Sequence, residues 1–379
     1  MEWYKKAMAV LLLAFICALP ALEILTPDRE FSAAENRMLE PRPNLSLQHL
    51  ASGKFMANYE KYVSDQFPFR DFWVGAKSDT ARAMGQKENG RVYLGKDGYL
   101  IQRFSPPAEG EVEENAEAIR TFISAAPGLQ TYVMLAPTSI TLNEDKLPAF
   151  APAGSELAFL DKMRNALGRF ARFVDVYPAL YAKRHEYLYY KTDHHWTTLG
   201  AYYAYRELCR QMGMPPQEAE DFEIRQAADD FYGSLYSQSG FRHLRPDQIA
   251  LWLPKEKENE TVEYVDEEQT TNSLYALENL SKKDKYAVFL NGNHALVKIT
   301  SPAHPAGKKL LVVKDSYANS LISFLTGHFS EIYVVDLRYY DGDLLALIRK
   351  REIHDMLVLY NINTFFADPS IKNLSEMIK

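Results

Sequence analysis

Leu310-Leu311-Val312-Val313-Lys314-Asp315-Ser316-Tyr317 is the stretch on which the fold prediction depends. Its four apolar residues predict a short buried strand, and residues 318–325 predict a helix that ends near Gly327. Ser316 therefore lies at the turn between a strand and a helix. The first backbone amides of a helix have no partner within it, so they point toward any charge that develops on a substrate oxygen. This turn is a candidate for the start of an oxyanion hole.

A second motif, Thr192-Asp193-His194-His195-Trp196, supplies the groups that a serine nucleophile needs. A serine hydroxyl is a weak nucleophile unless a histidine removes its proton and an acid orients that histidine. Residues two apart do not face each other on a helix, so a contact between Asp193 and His195 requires a loop or a turn. Thr197 or Thr198 can cap the helix that the following apolar spacing predicts. The motif is therefore expected just before a helix.

Both motifs also have other interpretations. Asp315 before Ser316 can be an ordinary helix cap, and the Asp-His-His-Trp segment can be a hydrogen-bonded turn. A metal-dependent hydrolase would combine this segment with the distant His243 or His294, although none of these spacings is typical of a metal site. We predict no metal and no other cofactor.

The remainder of the chain predicts an α/β fold. From Val92 onward, short apolar runs alternate with helical patterns, which is typical of a largely parallel sheet flanked by helices. Polar residues, Ser316 and Asn361 among them, follow most of these runs. Ligands of open α/β sheets bind beyond the carboxyl ends of the strands, so we expect the site at that edge. The predicted strands are residues 131–135, 172–176, 309–313, 332–335 and 356–359.

The N-terminus and the composition indicate where the protein works. Lys5 and Lys6 precede an apolar run over residues 7–22, which favours an uncleaved membrane anchor, with a signal peptide and secretion as the alternative. Cys17 and Cys209 are the only cysteines, so no disulfide is expected in the mature body. A net charge of −7 argues against nucleic acid as a partner, because phosphate binding normally requires a basic patch.

Three regions follow from these patterns. Residues 1–27 are the anchor or signal peptide, 28–90 a stem and a membrane-proximal helical region, and 91–379 the catalytic domain. Within that domain, residues 214–285 are expected to be an inserted segment with acidic runs, either a lid or polymer-binding surface or simply solvated loops. Tyr236 in this segment is a candidate for stacking on sugar rings, and burial in the core is the alternative.

The chain resembles the DHHW family, which takes its name from the tetrapeptide seen here at Asp193 to Trp196. This family is similar to the alginate O-acetylation proteins, which have an SGNH-hydrolase-like fold. One departure is Asp315, because the alginate proteins carry a different residue immediately before the serine. The other matching stretches are residues 66–71, 91–100, 231–237, 291–294, 314–320 and 336–340.

The resemblance implies a catalytic triad of Asp193, His195 and Ser316, with His195 rather than His194 as the base. It implies acyl transfer, usually of acetyl, to hydroxyls of a polysaccharide outside the cell. The function expected is an extracytoplasmic O-acyltransferase that works through an acyl-serine intermediate. A carbohydrate acetylesterase and a non-catalytic polysaccharide-binding or assembly protein remain the alternatives.

A membrane-bound O-acyltransferase is the implied donor partner, since cytosolic acetyl-CoA does not reach the outside. There are two candidates for the second oxyanion donor: the Gly292-Asn293 pair, and Asn361, which follows a strand. Tyr236 and Trp196 complete the candidates for substrate contacts.

Overall fold

The computed structural model describes residues 2–152, 154–256, 260–302 and 307–376. These residues form two compact units. Met1–Asn89 and Ser237–His243 belong to the first, and Gly90–Tyr236 and Leu244–Lys379 belong to the second.

The first unit is mainly helical. Its Trp3–Glu23 segment, 21 residues of mean hydropathy 1.9, is long and apolar enough to cross a membrane, a property that signal sequences share. Pro68 lies between two helices of this unit, as its inability to continue a helix predicts. The helices are α1 (Glu2–Leu25), α2 (Leu47–Ala51), α3 (Lys54–Asp65) and α4 (Arg70–Ala83). The strands are β1 (Phe31–Ser32), β2 (Arg37–Met38) and β3 (Glu88–Asn89).

The second unit alternates strands and helices. Its strands are β4 (Val92–Leu94), β5 (Leu100–Gln102), β6 (Gln130–Ala136), β7 (Arg172–Phe173), β8 (Phe222–Phe231), β9 (Asp247–Pro254), β10 (Thr261–Tyr264), β11 (Gln269–Thr271), β12 (Leu296–Thr300), β13 (Lys309–Lys314), β14 (Glu331–Val335) and β15 (Asp355–Asn361). Its helices are α5 (Glu111–Ala125), α6 (Ser139–Leu142), α7 (Glu156–Leu167), α8 (Tyr177–Ala182), α9 (Thr198–Met212), α11 (Ala318–Leu321), α12 (Leu344–Arg351) and α13 (Ile362–Ala367), and α10 (Ser234–Ser239) starts in it. Short 3-10 turns complete it at Lys96–Gly98, Glu144–Lys146, Ala219–Asp221, Val265–Glu267, Leu277–Ser281, Lys285–Val288, Ile322–Phe324 and Pro369–Ser375.

One large sheet organises the second unit. Among the described residues it has eight strands in the order β11-β10-β12-β14-β13-β15-β6-β7. The pairs from β14 to β7 are parallel, and β12, β10 and β11 continue the sheet as antiparallel strands at one edge. The five runs predicted as strands are the five parallel strands, although β7 ends at Phe173, three residues earlier than predicted. The predicted α/β fold with a largely parallel sheet is confirmed.

Both faces of the sheet are covered. Leu310 and Val312 of β13 pack with α9 in one hydrophobic core, whereas Leu311 and Val313 pack with α5, α7 and α12 in the other. Successive strand residues point to opposite faces, so a strand that is buried on both faces is a continuous apolar run. This explains why the central strands are recognisable in the sequence.

The segment 214–285, expected to be an insertion, contains more regular structure than its composition indicates. The β8–β9 hairpin lies within it, and β10 and β11 add two strands to the edge of the large sheet. Most β8 side chains between the two terminal phenylalanines are exposed or half-buried. A strand without a buried face has no apolar alternation, and this is why sequence patterns missed it.

Candidate active site

Asp193, His195 and Ser316 form a continuous hydrogen-bonded chain. The His195 Nδ1–H donates to Asp193 Oδ1 over 2.5 Å, and the Ser316 hydroxyl donates to His195 Nε2 over 2.7 Å. The carboxylate and the imidazole are buried, whereas the serine is half-buried. The geometry is that of a nucleophile, a base and the acid that orients the base.

A tight turn places the acid beside the base. Asp193 Oδ1 accepts the backbone N–H of His195 at 2.9 Å, and the same oxygen also accepts the Nδ1–H of the His195 ring. Side chains of aspartate often bind the backbone two residues on in this way. Helix α9 then begins at Thr198, and the Thr197 hydroxyl accepts the N–H of Gly200. The expected turn and helix cap are both present.

Asp247 fixes the residue that precedes the acid. Its Oδ2 accepts both the backbone N–H of Thr192 at 2.7 Å and the Thr192 hydroxyl at 2.5 Å. The other oxygen, Oδ1, accepts the Lys191 N–H at 2.8 Å and the Tyr187 hydroxyl. Burial raises the pKa of Asp247, and these hydrogen bonds oppose that effect. Asp247 therefore stabilises the loop by binding the backbone N–H groups of Lys191 and Thr192, without contacting the His195 imidazole.

Gly233 and Ser234 enclose the other side of the acid. The Ser234 N–H donates to Asp193 Oδ2 at 2.7 Å. A Cβ atom on Gly233 would lie 2.2 Å from the Cβ of Asp193, so only glycine allows this approach. Both oxygens of the Asp193 carboxylate are thus held by hydrogen bonds.

His194 has a different role from His195. Its Nδ1 lies 2.7 Å from the Ser234 hydroxyl and 3.7 Å from the Asp193 carboxylate. Burial, together with the neighbouring His195, lowers the pKa of His194 to about 4, so its ring is neutral at pH 7. The ring that is hydrogen-bonded to Ser316 is that of His195, and the assignment of His195 as the base stays a prediction.

Tyr286 fixes the plane of the His195 imidazole. The ring of Tyr286 stacks on His195 with 3.7 Å between centroids and an angle of 8°. Its hydroxyl donates to the backbone oxygen of Ser316 at 3.1 Å. One tyrosine thus contacts both the base and the residue that carries the nucleophile.

Trp196 lies beneath the site. It is fully buried, and its Nε1–H donates to the Tyr317 backbone oxygen at 2.9 Å and to the Ser320 hydroxyl at 3.1 Å. This differs from the expectation that Trp196 contacts substrate, because a side chain without exposed surface cannot reach one. Its hydrogen bonds instead join the Asp-His-His-Trp loop to helix α11.

Asp315 stabilises the turn that carries the nucleophile. Its Oδ1 accepts the Tyr317 N–H at 2.9 Å, and its Oδ2 accepts the N–H and the side-chain amide of Asn361 at 3.0 and 2.7 Å. Burial raises the pKa of Asp315 to about 6, in opposition to these hydrogen bonds. These bonds hold the turn that precedes α11. They do not cap the helix, since its cap position, Tyr317, has no side-chain cap hydrogen bond, and this differs from the expected cap.

The amide of Asn361 is fully used by these contacts. Besides Asp315, its Nδ2 donates to the Thr364 hydroxyl at 2.7 Å, and its Oδ1 accepts the Thr364 N–H at the start of α13. An oxyanion donor needs a free hydrogen, so Asn361 would have to break one of these bonds to serve. The expectation for Asn361 as a donor does not fit this geometry.

Lys314 forms a buried network beside the nucleophile. Its ammonium donates to Asn293 Oδ1 at 2.6 Å and to Asn319 Oδ1 at 2.9 Å, and it lies 3.6 Å from the Asp336 carboxylate. Burial lowers the pKa of Lys314 to about 8, against the attraction of Asp336. An ammonium can only donate, so the amide oxygen of Asn293 must face it.

This orientation leaves the side-chain N–H groups of Asn293 available as donors. The Nδ2 group of Asn293 and the backbone N–H of Ser316 have no hydrogen-bond partner within the described part of the chain. Gly292 contributes its carbonyl oxygen, which accepts the Asn319 amide at 3.0 Å and thereby shapes the same loop. Of the predicted donors, Asn293 keeps the free hydrogens that an oxyanion needs.

Tyr236 lies in α10. Its backbone N–H donates to the Thr192 oxygen at 2.9 Å, and its half-buried ring packs 4.5 Å from the ring of Tyr232. The Lys283 ammonium lies over the same ring. These contacts leave a partly open aromatic face, and stacking on a sugar remains a prediction for Tyr236.

A metal centre would have to displace the triad. Ligand atoms of Asp193, His194 and His195 lie within 4.8 Å of one another. His195 uses both of its ring nitrogens in the chain to Ser316, as described above. His294 is bound to Glu267 and to the Asn291 oxygen, away from this group. The donor set therefore fits the triad better than a metal.

The charge on the acid follows from its surroundings. Burial raises the pKa of Asp193, but the adjacent His195 and His194 lower it by more, and the net direction is below the ordinary value. The carboxylate is therefore ionised at neutral pH. An ionised acid is the form that stabilises an imidazolium during proton transfer.

Three residues of the site were not identified from the sequence. Tyr286 and Asp247 contact the triad or its loops from positions that carried no recognisable motif, and Lys314 had no role assigned to it. Lys314 lies within a quoted stretch, but a lysine at the end of a strand is normally exposed, and its burial is a tertiary property. Ser234 also lies in a stretch that matches the family, without an assigned role.

Three solved structures align with about three quarters of this chain. A DHHW family protein from Eubacterium siraeum is 25% identical, with a TM-score of 0.67 over 76% of this chain and 96% of its own. Bacillus cereus PatB1 with a sulfonyl adduct is 18% identical, with a TM-score of 0.62 over 75% and 97%. The O-acetyltransferase domain of Pseudomonas putida AlgJ is 17% identical, with a TM-score of 0.46 over 75% and 98%.

Among curated proteins, none matches this sequence significantly. The family described as DHHW protein matches residues 80–335, which include all three members of the hydrogen-bonded chain. This match spans more than half of the 379 residues. The chain therefore belongs to the DHHW family.

Proposed function

We propose that this protein is an extracytoplasmic serine O-acyltransferase that moves an acetyl group to a hydroxyl of a polysaccharide. The observation that carries the proposal is the chain from Asp193 through His195 to Ser316, with bonds of 2.5 and 2.7 Å. The similarity to the alginate O-acetylation proteins supports acetyl as the group and a polysaccharide as the acceptor. The apolar Trp3–Glu23 segment supports a location outside the cytoplasm.

In the first half-reaction, His195 Nε2 takes the proton of Ser316 as Oγ attacks the carbonyl carbon of the donor. The ionised Asp193 stabilises the imidazolium that forms. Asn293 Nδ2 and the Ser316 N–H are the donors that we assign to the negative oxygen of the tetrahedral intermediate. The leaving group departs with the proton from His195, and the acyl group stays on Ser316.

In the second half-reaction, a sugar hydroxyl takes the place of the leaving group. His195 removes its proton, the sugar oxygen attacks the acyl-serine, and the intermediate collapses as His195 returns the proton to Ser316. The products are the acetylated sugar and the free enzyme. A membrane-bound O-acyltransferase is the partner that we propose as donor.

The first test is hydrolysis of a chromogenic acetyl ester by the full chain in detergent. Replacement of Ser316 by alanine should lower the rate at least about 10³-fold, because no acyl-serine can form. Ser323→Ala is the matched control, since Ser323 is a buried serine of the same region whose hydroxyl donates to the Ser320 oxygen and makes no contact with the triad among the described residues. Equal activity of the Ser316→Ala variant and the wild type would refute the proposal.

A second test separates transfer from hydrolysis. An oligosaccharide acceptor is added to the same reaction, and mass spectrometry measures the acetylated sugar relative to free acetate. A sulfonyl fluoride should also label Ser316, because this reagent reacts with activated hydroxyls. Release of acetate alone at every acceptor concentration would assign the protein to the acetylesterases.

A further inference from the structure

We propose that a cleft on helix α4 is a second binding site, separate from the triad, for an acidic sugar chain. The cleft lies within the first unit and has a volume of about 630 Å³. Pockets for small ligands usually span about 300–1,000 Å³. The cleft is large enough for sugar units of a polymer.

One face of α4 forms a wall of the cleft. The residues of α4 that line it include Arg70, Trp73, Lys77 and Ser78, and successive members of this set are three, four and one residues apart. Residues three and four apart are neighbours on a helix, so Trp73 and Lys77 occupy adjacent positions on this face. Segment 237–240 contributes to the lining as well.

Trp73 supplies a stacking surface. It is 52% exposed, although large aromatic side chains normally bury most of their area. The face of a pyranose ring is a layer of C–H groups with a slight positive charge, which suits the negative face of an indole. Phe72 packs edge-on against Trp73 at 5.2 Å and is itself 59% exposed, but it does not line the cleft.

The charges of the cleft favour an anionic ligand. Arg37 is paired with Asp65 at 2.5 Å, and Arg70 is paired with Glu35 at 2.8 Å. Lys77 makes no ion pair with any residue that the structure describes, so its ammonium is available to a ligand. A uronic acid places a carboxylate beside a pyranose ring, which matches an ammonium beside an indole.

Two serines of the lining have unused hydroxyls. Ser78 and Ser237 are 5% and 7% exposed, and neither hydroxyl has a hydrogen-bond partner among the described residues. Unpaired buried hydroxyls are costly, so water or a ligand hydroxyl is favoured beside them. Arg70 belongs to the 66–71 stretch, a motif that the triad chemistry does not use.

The identification of the ligand as a polymer rests on the proposed function, but binding at the cleft does not require Ser316. The test therefore uses the full-length Ser316→Ala variant in detergent, which cannot turn over. Isothermal titration calorimetry with hexamers of galacturonic acid and of mannuronic acid measures the affinity. The methyl-esterified galacturonate hexamer is the neutral control probe.

Binding of a uronate hexamer is the expected result. Trp73→Ala should weaken it about tenfold or more, as is common for a central aromatic contact, whereas Phe72→Ala should leave it unchanged. Lys77→Gln should weaken the acidic hexamer about 2- to 5-fold and leave the methyl ester unaffected. No binding of either uronate, or binding that Trp73→Ala and Lys77→Gln leave intact, would overturn the proposal while leaving the triad chemistry untouched.

Discussion

Replacement of Asp193 by asparagine should disable proton transfer without removing any group that contacts substrate. The carboxylate accepts three hydrogen bonds, from the Nδ1–H and the backbone N–H of His195 and from the backbone N–H of Ser234. An asparagine offers one accepting oxygen and one donating NH₂ group. The asparagine side chain therefore cannot accept hydrogen bonds from both His195 and Ser234.

Either orientation of the new amide is unfavourable. If the NH₂ group faces His195, Nδ1 must lose its proton, and Nε2 then carries the proton and cannot accept that of Ser316. If the NH₂ group faces Ser234, two N–H groups oppose each other in a buried position, which costs about 1–3 kcal/mol. A neutral amide also stabilises the imidazolium less than a carboxylate does. The same change in a serine protease lowers kcat about 10⁴-fold, so we expect a loss of about 10²- to 10⁴-fold here.

Steady-state hydrolysis of the chromogenic acetyl ester measures this effect, with folding checked by urea unfolding of both proteins. Asp230→Asn is the matched control, because Asp230 is exposed and, among the described residues, its only ion pair is with Lys285 at 3.3 Å. It should keep the wild-type rate. If Asp193→Asn stays within fivefold of the wild type while folded, Asp193 does not orient the base and the mechanism is wrong.

Three further outcomes are expected. His195→Ala should lower ester hydrolysis at least about 10³-fold, whereas His194→Ala should stay within about tenfold, and a reversed order in this assay would make His194 the base. The rate kcat should fall about 10²-fold in Lys314→Met and in Asn293→Ala, because each change removes the same oriented donor, the Asn293 amide. The double variant should therefore be no slower than either single variant. Additive losses would show that the two residues have separate roles. The raised pKa of Asp315, about 6, means that ionisation opposes folding, so this group makes the protein less stable as pH rises from about 4 to 6. Urea unfolding at several pH values should show a smaller decrease over that range in Asp315→Asn, and an unchanged decrease would assign it to another carboxyl.

The central strands were predictable because burial on both faces leaves a direct trace in the sequence. β13 and β15 are continuous apolar runs whose side chains pack in the two hydrophobic cores of the second unit. The hairpin β8–β9 was not predictable, since its first strand is largely exposed and its residues carry no period. The tertiary pairing of the two strands, rather than any local preference, determines that structure.

Some residues of the site were also predictable from the sequence, and others were not. Asp193 and His195 were predictable because two residues in one motif can form a turn by themselves, and Ser316 because a strand-to-helix turn is visible in the chain. Trp196 shows the limit: an aromatic side chain beneath a site and one on its surface have the same sequence signature. Its burial depends on α11, which lies more than a hundred residues further along the chain.

Two adjacent histidines lie beside one carboxylate, and the geometry that favours His195 as the proposed base is local. Asp193 Oδ1 holds the backbone N–H of His195, which turns the carboxylate toward the ring of that residue and away from the ring of His194. His194 is left 3.7 Å from this oxygen and binds the Ser234 hydroxyl instead. The pairing of acid and base is therefore fixed within three residues, whereas the approach of the base to Ser316 depends on the sheet edge. Damage to the turn should change the protonation of His195, while damage to the sheet edge should change only its distance to the nucleophile.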